Sequence, residues 1–354
     1  MTRAPVKETQ FFKEMNPMPQ MTYRLLSALL FFAAATVSAL ACAEEMEERT
    51  AIFEGARSAM KSGDIAALER QAAVYRTKQS RTSSGVWKLS LLHSGVGRYL
   101  RIGSYSEAAW AEKESVAKRW IAAYPKSPSA RIAYAAWLSS RAWSHRGNGY
   151  ANTVRPQDWA PFKAGIEATR QYLEDNKQIA SLDPEWYVEM EGVAKVQQWD
   201  DDRFQALIDE AMARYPAYYE IYFQAIEFYS PRWGGNATDI ERFATMAMER
   251  TRAREGKGLY ARIYWYASQS IYDERLFTES LARWSTMRAG IDDVLKVYAD
   301  EWNLQNFARF ACLARDREKA LELIERVRGP TYTEVWKGEE NFQRCKAWVL
   351  EGVT

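Results

Sequence analysis

Apolar residues recur at helical spacing along nearly the whole chain beyond residue 43, and this period restricts the possible folds more than any other feature. In "SYSEAAWAEKESVAKRWIAAY" the apolar stripe comprises Ala109, Trp110, Val116, Ala117, Trp120 and Ile121. An α-helix has about 3.6 residues per turn, so residues at this spacing share one face and can be buried together. No segment shows convincing apolar and polar alternation with β-branched residues, which is typical of a half-buried strand. The sequence therefore predicts an all-α fold.

Proline marks the joints between the predicted helices. Pro128, Pro184 and Pro216 each stand between the end of one helix and the start of an aromatic-rich one, because proline interrupts a helix interior but suits its first turn. Pro184 and Pro216 are 32 residues apart, close to the period of tetratricopeptide-type helical hairpins. We expect such hairpins to stack as a curved solenoid or a layered bundle, each burying its apolar face against the next.

These patterns assign most of the chain to helices, in one domain over residues 44–354 without a Gly/Ser linker. The longest predicted break lies between Arg146 and Pro156. The predicted helices span residues 45–61, 64–79, 85–100, 105–123, 128–145, 157–181, 184–197, 201–214, 217–229, 238–253, 257–272, 275–287, 291–314, 316–328 and 340–351.

Residues 21–43 have the layout of a secretory signal peptide. Arg24 precedes an uncharged apolar stretch, and small residues around Ala41 and Ala43 suit signal peptidase. We therefore expect export to the periplasm or beyond, with a mature chain beginning near Glu44. Residues 1–20 precede a complete signal, which predicts that they are a non-native extension and that Met21 is the true initiator.

Two alternatives for this segment remain open. An uncleaved membrane anchor needs about 20 apolar residues, a length that the stretch only just approaches. Cys42 follows "SALA" and could carry a lipid, although Ala39 stands where the lipoprotein pattern prefers Leu. Contact with a membrane is expected only through this segment or through such a lipid.

The balance of charges argues against a nucleic-acid partner. Lys and Arg total 48 against 46 Asp and Glu, a formal net charge of +2, and the two signs alternate along the chain. Proteins that bind nucleic acid concentrate basic residues in a patch or stripe, because phosphate neutralisation supplies most of the affinity. We predict a protein or peptide partner instead.

Few residues have the spacing of a metal or catalytic site. The two histidines, His93 and His145, are far apart, and no Cys-x-x-Cys pair or Gly-x-Ser-x-Gly elbow is present. The acidic run "WDDDRF" lacks the ligand spacing of an EF-hand loop and suits a helix N-terminus better. We therefore predict no metal, no cofactor and no assignable catalytic residue.

Removal of residues 21–43 leaves two cysteines, Cys312 and Cys345, 33 residues apart. An even pair in an exported protein can form a disulfide, because oxidising compartments preserve the bond. Two buried thiols on separate helices explain the pair equally well, since the distance between them is not encoded in their spacing.

The stretch "SPRWGGNATDIERFA" poses the choice between a phosphate-binding loop and a turn. A phosphate loop follows a buried strand and carries a Lys beside Ser or Thr, and neither feature is present. Gly234 and Gly235 are predicted to form the C-terminal cap and turn of helix 217–229, because glycine adopts positive φ without penalty. Trp233 is expected to pack over this turn. Thr238 and Glu241 match a capping box for the next helix.

Three segments together carry a family resemblance: "AWSHRGNGYANTV", "PRWGGNATDIERFA" and the block from Asp183 to Tyr222 between them. The region from about Tyr124 to Gln269 resembles an uncharacterised bacterial domain family with tetratricopeptide-like helices, known only as a domain of unknown function. The Arg-Gly-x-Gly-Tyr-Ala and Trp-Gly-Gly elements are its most specific parts. The resemblance implies an α-helical repeat fold and no established activity.

"WSHRGNGY" is the best candidate for a binding element. Its candidate residues, with one from the following helix, are Trp143, His145, Arg146, Tyr150 and Trp159. Arginine can hold a carboxylate or phosphate through two hydrogen bonds, and the aromatic rings can wall a pocket. Alternatively, the arginine caps backbone carbonyls or pairs with a buried acid, and the histidine favours the negative end of its helix.

These observations favour a non-catalytic, exported helical-repeat scaffold that binds a protein or peptide through a groove formed by these residues. The rival hypothesis is a hydrolase of cell-wall or glycan material that uses paired carboxylates, which are expected to lie about 5 to 10 Å apart in one cleft. A purely structural spacer is the third possibility.

Overall fold

The computed structural model describes residues 45–101, 106–147, 149 and 151–351, and within them the chain is all-α, as predicted. The only extended pairing in these ranges is an isolated bridge between Arg81 and Trp87. The α-helices are α1 (45–62), α2 (Ile65–Lys78), α3 (Lys88–Arg101), α4 (Glu107–Ala123), α5 (Pro128–Arg146), α6 (Pro156–Asp175), α7 (Lys177–Ala180), α8 (Glu185–Gln197), α9 (Asp201–Arg214), α10 (Tyr219–Phe228), α11 (Ala237–Glu255), α12 (Gly258–Ala267), α13 (Leu276–Glu279), α14 (Trp284–Val297), α15 (Glu301–Leu313), α16 (Arg317–Arg326), α17 (Thr333–Trp336) and α18 (Glu339–Leu350).

Helices contact the helices next to them in sequence, and several also contact helices two places along the chain. Helix α5 packs on α3, α4 and α6, α8 packs on α10, and α12 packs on α10, α11 and α14. Large aromatic side chains fill the spaces between these layers, and the fully buried ones include Trp120, Trp186, Trp336, Tyr187, Phe204 and Phe307. The high aromatic content therefore serves the core of a helical-repeat array.

Several predicted helices are interrupted in the structure although the apolar period continues. The predicted helix 291–314 divides because Asp300 is an N-cap, and its carboxylate accepts the N–H of Asn303 at 2.9 Å. The predicted helix 157–181 divides at Asn176, which separates α6 from α7. The predicted helix 275–287 is also wrong, since α13 ends at Glu279 and α14 begins at Trp284. The short α17 was not predicted.

The predicted proline joints and acidic helix start are confirmed. Pro128 occupies the first turn of α5, where the Ser127 hydroxyl accepts the N–H of Ala130 at 3.1 Å. Pro184 precedes α8 directly. Asp200 of the acidic run is the N-cap of α9 and accepts the N–H of Arg203 at 2.8 Å.

The predicted extension at residues 1–20, the predicted signal peptide at residues 21–43 and Cys42 all lie outside the described residues. Among the helices that the structure describes, none combines the length and the apolar character needed to cross a membrane.

One buried carboxylate joins four parts of the array. Asp183 is fully buried, and its Oδ2 lies 3.0 Å from Nε2 of His93 in α3 and accepts the Ser129 hydroxyl of α5 at 2.6 Å. Its Oδ1 accepts the backbone N–H of Glu185 at the start of α8. Arg76 of α2 approaches the same carboxylate at 3.6 Å. Asp183 therefore fixes the relative positions of α2, α3, α5 and α8.

The segment between α2 and α3, residues 79–87, reaches from the N-terminal helices to the C-terminal half. Arg81 donates to the carbonyl of Ala217, ahead of α10, at 3.0 Å. The Ser84 carbonyl accepts from Arg262 of α12 at 2.8 Å and from Asn303 of α15 at 3.1 Å. We call residues 79–87 the crossing segment, because these contacts tie the two halves of the array together.

A disulfide between Cys312 of α15 and Cys345 of α18 secures the C-terminal helices, with the two Cα atoms 6.1 Å apart. This arrangement selects the bridged alternative of the two that the sequence left open. The loop closed by the disulfide contains α16 and α17. Arg317 at the start of α16 also donates to the carbonyl of Val349 in α18 at 3.1 Å.

Replacing Asp183 by Asn is expected to lower the free energy of unfolding by about 3 kcal/mol, because it breaks a buried ion pair. Burial opposes both charges, but their mutual attraction outweighs it, raising the pKa of His93 and lowering that of Asp183. Stabilisation by the pair is therefore fully present between about pH 4 and 6.5, and is lost as pH rises through the raised pKa of His93. Urea titrations at pH 5.5 and 9 should show that Asp183→Asn lowers the free energy of unfolding more at pH 5.5.

The exposed Asp202→Asn is the matched control. Equal effects of Asp183→Asn at the two pH values would contradict the assignment of the ion pair.

Removing the disulfide with Cys312→Ser and Cys345→Ser together is expected to cost about 3 to 4 kcal/mol, because the bridge closes a 33-residue loop. The quantity to measure is the midpoint of urea unfolding for the wild type with and without a reducing agent, beside the double variant. Reduction should shift the wild type to the midpoint of the variant and leave the variant unchanged. A wild type insensitive to reduction would show that the bridge contributes nothing.

Candidate functional site

The two glycine-containing elements of the family resemblance lie side by side in the structure. Trp143, near the C-terminus of α5, meets Trp233 edge to face, with ring centroids 6.4 Å apart. Trp233 ends a short 3₁₀ helix, Pro231–Trp233, which follows α10. Two segments about 90 residues apart in sequence thus form one surface of the array.

Arg146 lies among three aromatic rings at the end of α5. Its guanidinium carbon is 5.2 Å from the ring centre of Trp143, 5.5 Å from that of Trp159 and 5.8 Å from that of Phe162. Such contacts are favourable, because the negative face of an aromatic ring attracts a cation. Phe162 is buried beneath the half-buried arginine and tryptophans. The rings therefore hold the guanidinium at the surface in a defined orientation.

Part of the hydrogen-bonding capacity of Arg146 is used locally. Its Nη1 donates to the carbonyls of Gly147 and Gly149, both at 3.1 Å, as in the capping role that the sequence left open. Gly147 has φ of 71°, a left-handed value that glycine adopts without strain. The glycines thus bring carbonyls back towards the arginine, whose remaining N–H groups form no hydrogen bond with the described residues.

The structure groups some of the predicted site residues and separates others. Trp143, Arg146 and Trp159 form one cluster. His145 is half-buried in the last turn of α5, and no hydrogen bond or ring contact joins it to that cluster within the described residues. Tyr150 lies outside the described residues.

Two further cations, which the sequence did not indicate, complete this surface. Lys195 near the end of α8 places its ammonium 5.2 Å from the ring centre of Trp233. Arg232 is exposed beside Trp233 and lowers the pKa of both Arg146 and Lys195 by charge repulsion, in addition to the larger lowering by burial. The basic aromatic patch is defined here as Trp143, Arg146, Trp159, Lys195, Arg232 and Trp233.

The three cations of the patch lack direct ion-pair partners among the described residues. Among the described residues, no salt bridge involves any of its three cations. Glu191 interacts with Lys195 through space, but it is fully buried, its carboxylate oxygens have no described hydrogen-bond partner, and burial raises its pKa well above the ordinary range. Burial therefore disfavours the charged form of Glu191, and Glu227 is the other acid that acts on Lys195.

The turn that carries Trp233 differs in detail from the prediction. Gly234 has φ of 97° and caps the 3₁₀ helix instead of α10, whose C-cap is Tyr229. The capping box of α11 is formed by Asn236 and Asp239, two residues before the predicted Thr238 and Glu241. The predicted pair is wrong because the Asn236 amide oxygen accepts the N–H groups of Thr238 and Asp239, at 2.8 and 3.2 Å.

Glycine is required at position 235 for steric reasons. A Cβ at this position would lie 2.1 Å from the carbonyl oxygen of Tyr229, well inside any normal contact. Its own N–H donates to the carbonyl of Ser230 at 3.1 Å. The close approach of the two backbone segments holds the 3₁₀ helix, and with it Trp233 and Arg232, against the end of α10.

The grouping of His93, Asp183 and Ser129 is not a catalytic triad. In a triad the histidine lies between the serine and the acid and accepts the serine proton, whereas here the Ser129 hydroxyl donates directly to Asp183. All three side chains are buried. In the part of the chain that the structure describes, no group of three His, Cys, Asp or Glu residues is placed to hold a metal ion.

A set of carboxylates that the sequence did not single out lies on α8 and α10. Burial raises the pKa of Glu185 to about 7, against the opposing effects of His93 and of the Tyr218 hydroxyl, which donates to Glu185 at 2.5 Å. Burial also raises the pKa of Glu189 and of Glu220. A carboxyl with a pKa near neutrality has the property required of a general acid.

Comparison of the chain with protein families, with curated proteins and with solved structures finds no match. The family resemblance inferred from the sequence motifs therefore stays a prediction, and the function rests on the geometry described above.

Replacing Gly235 by Ala is expected to lower the free energy of unfolding by about 1 to 3 kcal/mol, because the new methyl group forces the backbone of the turn apart. Gly55→Ala is the matched control. Gly55 is exposed in the middle of α1 and has no heavy atom within 4 Å of an added Cβ, so alanine there should stabilise the protein by roughly 0.5 to 1 kcal/mol. Urea denaturation measures both effects. A Gly235→Ala protein as stable as the wild type would refute the close contact.

Proposed function

We propose that this protein is a non-catalytic helical-repeat scaffold that binds an acidic segment of a protein partner at the basic aromatic patch. The observation that carries the proposal is the clustering of Arg146, Arg232 and Lys195, without a salt-bridging carboxylate among the described residues, beside three tryptophans. Clustered like charges disfavour one another, and an anionic partner relieves that repulsion.

The composition of the patch favours a peptide with both acidic and apolar side chains. Each arginine can donate two hydrogen bonds to a carboxylate, and the partly exposed tryptophan rings offer area for apolar groups. Tryptophan and arginine are also the residues enriched at the energetic centres of protein interfaces. A patch of three cations in a chain of net charge +2 does not provide the extended basic surface that nucleic acid requires.

The cellular site of this binding follows from the predicted signal peptide. If residues 21–43 direct export, the partner is a protein of the bacterial cell envelope or its exterior. A lipid on Cys42 would place the scaffold at a membrane surface. Both parts of the proposal rest on the sequence pattern alone.

The rival function, hydrolysis of a glycan, is supported by one observation. Glu185 has its pKa raised to about 7 and interacts through space with Glu189 and Glu220, whose pKa values are also raised. A glycosidase commonly uses two neighbouring carboxyl groups with different pKa values. However, Glu185 accepts the buried Tyr218 hydroxyl, so burial in the helix interface accounts for the same shift.

Fluorescence anisotropy with labelled peptides tests the binding function. The probes are peptides in which three Glu residues alternate with Leu and Trp, beside the same peptides with Gln in place of Glu. We expect the Glu peptides alone to bind, and Arg146→Ala with Arg232→Ala to weaken binding at least tenfold, because each lost charged hydrogen bond is worth about 1.5 to 3 kcal/mol. Raising the salt concentration should weaken wild-type binding as well.

The control is Arg242→Ala with Arg252→Ala, two exposed arginines of α11 that pair with Asp239 and Glu249. This variant loses the same charge and should bind the Glu peptides as the wild type does, with circular dichroism confirming that both variants fold. Equal binding by both double variants would refute the patch. Hydrolysis of a glycan substrate that Glu185→Gln abolishes would favour the rival function.

A further inference from the structure

A second basic site, formed by different residues from the basic aromatic patch, lies in a cavity of about 300 Å³. The crossing segment, α10, the end of α11, α12 and the end of α14 surround it. Its polar lining consists of Arg81, Arg254, Arg262, Lys296, Glu255, Asp293, Tyr219 and Tyr298. The volume lies at the lower end of the range of small-molecule sites.

Arg262 is a buried cation that forms no salt bridge with a described residue. The residue is only 3% exposed. Its Nη2 donates to the carbonyl of Ser84 at 2.8 Å, whereas its Nε has no hydrogen-bond partner among the described residues. The guanidinium lies 4.6 Å from the ring centre of Tyr219 and 5.5 Å from that of Tyr298. Burial of an unpaired charge is costly, so a buried guanidinium normally has a counter-ion.

Two more arginines enlarge the positive charge. Arg81 lies 5.3 Å from the ring centre of Tyr219, on which Arg262 also lies, and donates to the carbonyls of Gly85 and Ala217. Arg254 is exposed at the rim of the cavity. Among the described residues, no salt bridge involves any of these three arginines, so the cavity holds three guanidinium groups without a direct carboxylate partner.

The two acids of the cavity bind groups other than its arginines. Asp293 accepts the backbone N–H of Lys257 and the ammonium of Lys296, both at 2.9 Å. Glu255 accepts the Tyr219 hydroxyl at 3.1 Å, and burial raises its pKa against the lowering influence of the arginines. Neither carboxylate forms a salt bridge with an arginine of the cavity.

We propose that this cavity binds a small organic oxyanion, a carboxylate or a phosphate ester, with the anionic group on Arg262 and Arg254. The planar guanidinium fork matches both kinds of oxyanion. The remainder of the ligand lies against Tyr219 and Tyr298 and against Val297, a valine that is 68% exposed. Because Arg81 and the Ser84 carbonyl belong to the crossing segment, the ligand also links the two halves of the array.

Isothermal titration calorimetry tests this site with two probes, inorganic phosphate and succinate, on the full mature chain. We expect at least one probe to bind, and Arg254→Ala with Lys296→Ala to weaken it at least tenfold. These two residues are exposed at the rim, so their loss should leave the fold intact. Preference for phosphate assigns the ligand to phosphate esters, and preference for succinate assigns it to carboxylates.

The matched control is again Arg242→Ala with Arg252→Ala, which removes two positive charges from the same region outside the cavity. Arg262→Lys is a second test, because lysine keeps the charge but loses the planar fork, and it should weaken binding in a protein whose folding is checked by circular dichroism. Unchanged binding by the rim variant, equal weakening by the control, or no heat with either probe would overturn the proposal.

Discussion

The interaction on which much of the N-terminal array depends is the buried contact of Asp183 with His93 and Ser129. Helices α5 and α8 both begin beside this carboxylate, at Ser129 and at Glu185, and both run towards the basic aromatic patch near their C-terminal ends. The patch combines Trp143 and Arg146 from α5 with Lys195 from α8. A polar contact at one end of the two helices thus sets the spacing of cations at the other.

The crossing segment plays the corresponding part in the C-terminal half. Helical repeats contact mainly their neighbours, so distant repeats are normally coupled only through the intervening ones. Here the Ser84 carbonyl bonds Arg262 and Asn303 directly. Gly85, with φ of 93°, makes this possible, because a Cβ there would lie 3.0 Å from Arg262 and from Tyr298. Arg81 of this segment also lines the cavity beside Arg262.

The sequence predicted what depends on local pattern, and it missed what depends on long-range contact. The helical class, the proline joints and the grouping of Trp143, Arg146 and Trp159 follow from periodicity and from closeness along the chain. The break at Asp300 depends on which side chain caps a helix, and the apolar period does not record that choice. The local sequence around Arg232, Lys195 and Arg262 does not indicate a binding role. Each of these cations joins a site only through contacts with residues that are far away in sequence.

The two basic sites share a physical property that most arginines of the described surface lack. Elsewhere the arginines are commonly paired, as Arg170 is with Glu167 and Glu174, and such exposed pairs contribute little stability. Arg146 of the patch and Arg81 and Arg262 of the cavity lie instead against aromatic rings and form no salt bridge with a described residue. Aromatic rings orient a guanidinium without neutralising it, whereas a carboxylate does both. Arginines held in this way keep their charge available to an anionic ligand, and for this reason we assign binding to these two places and not to the more numerous paired cations.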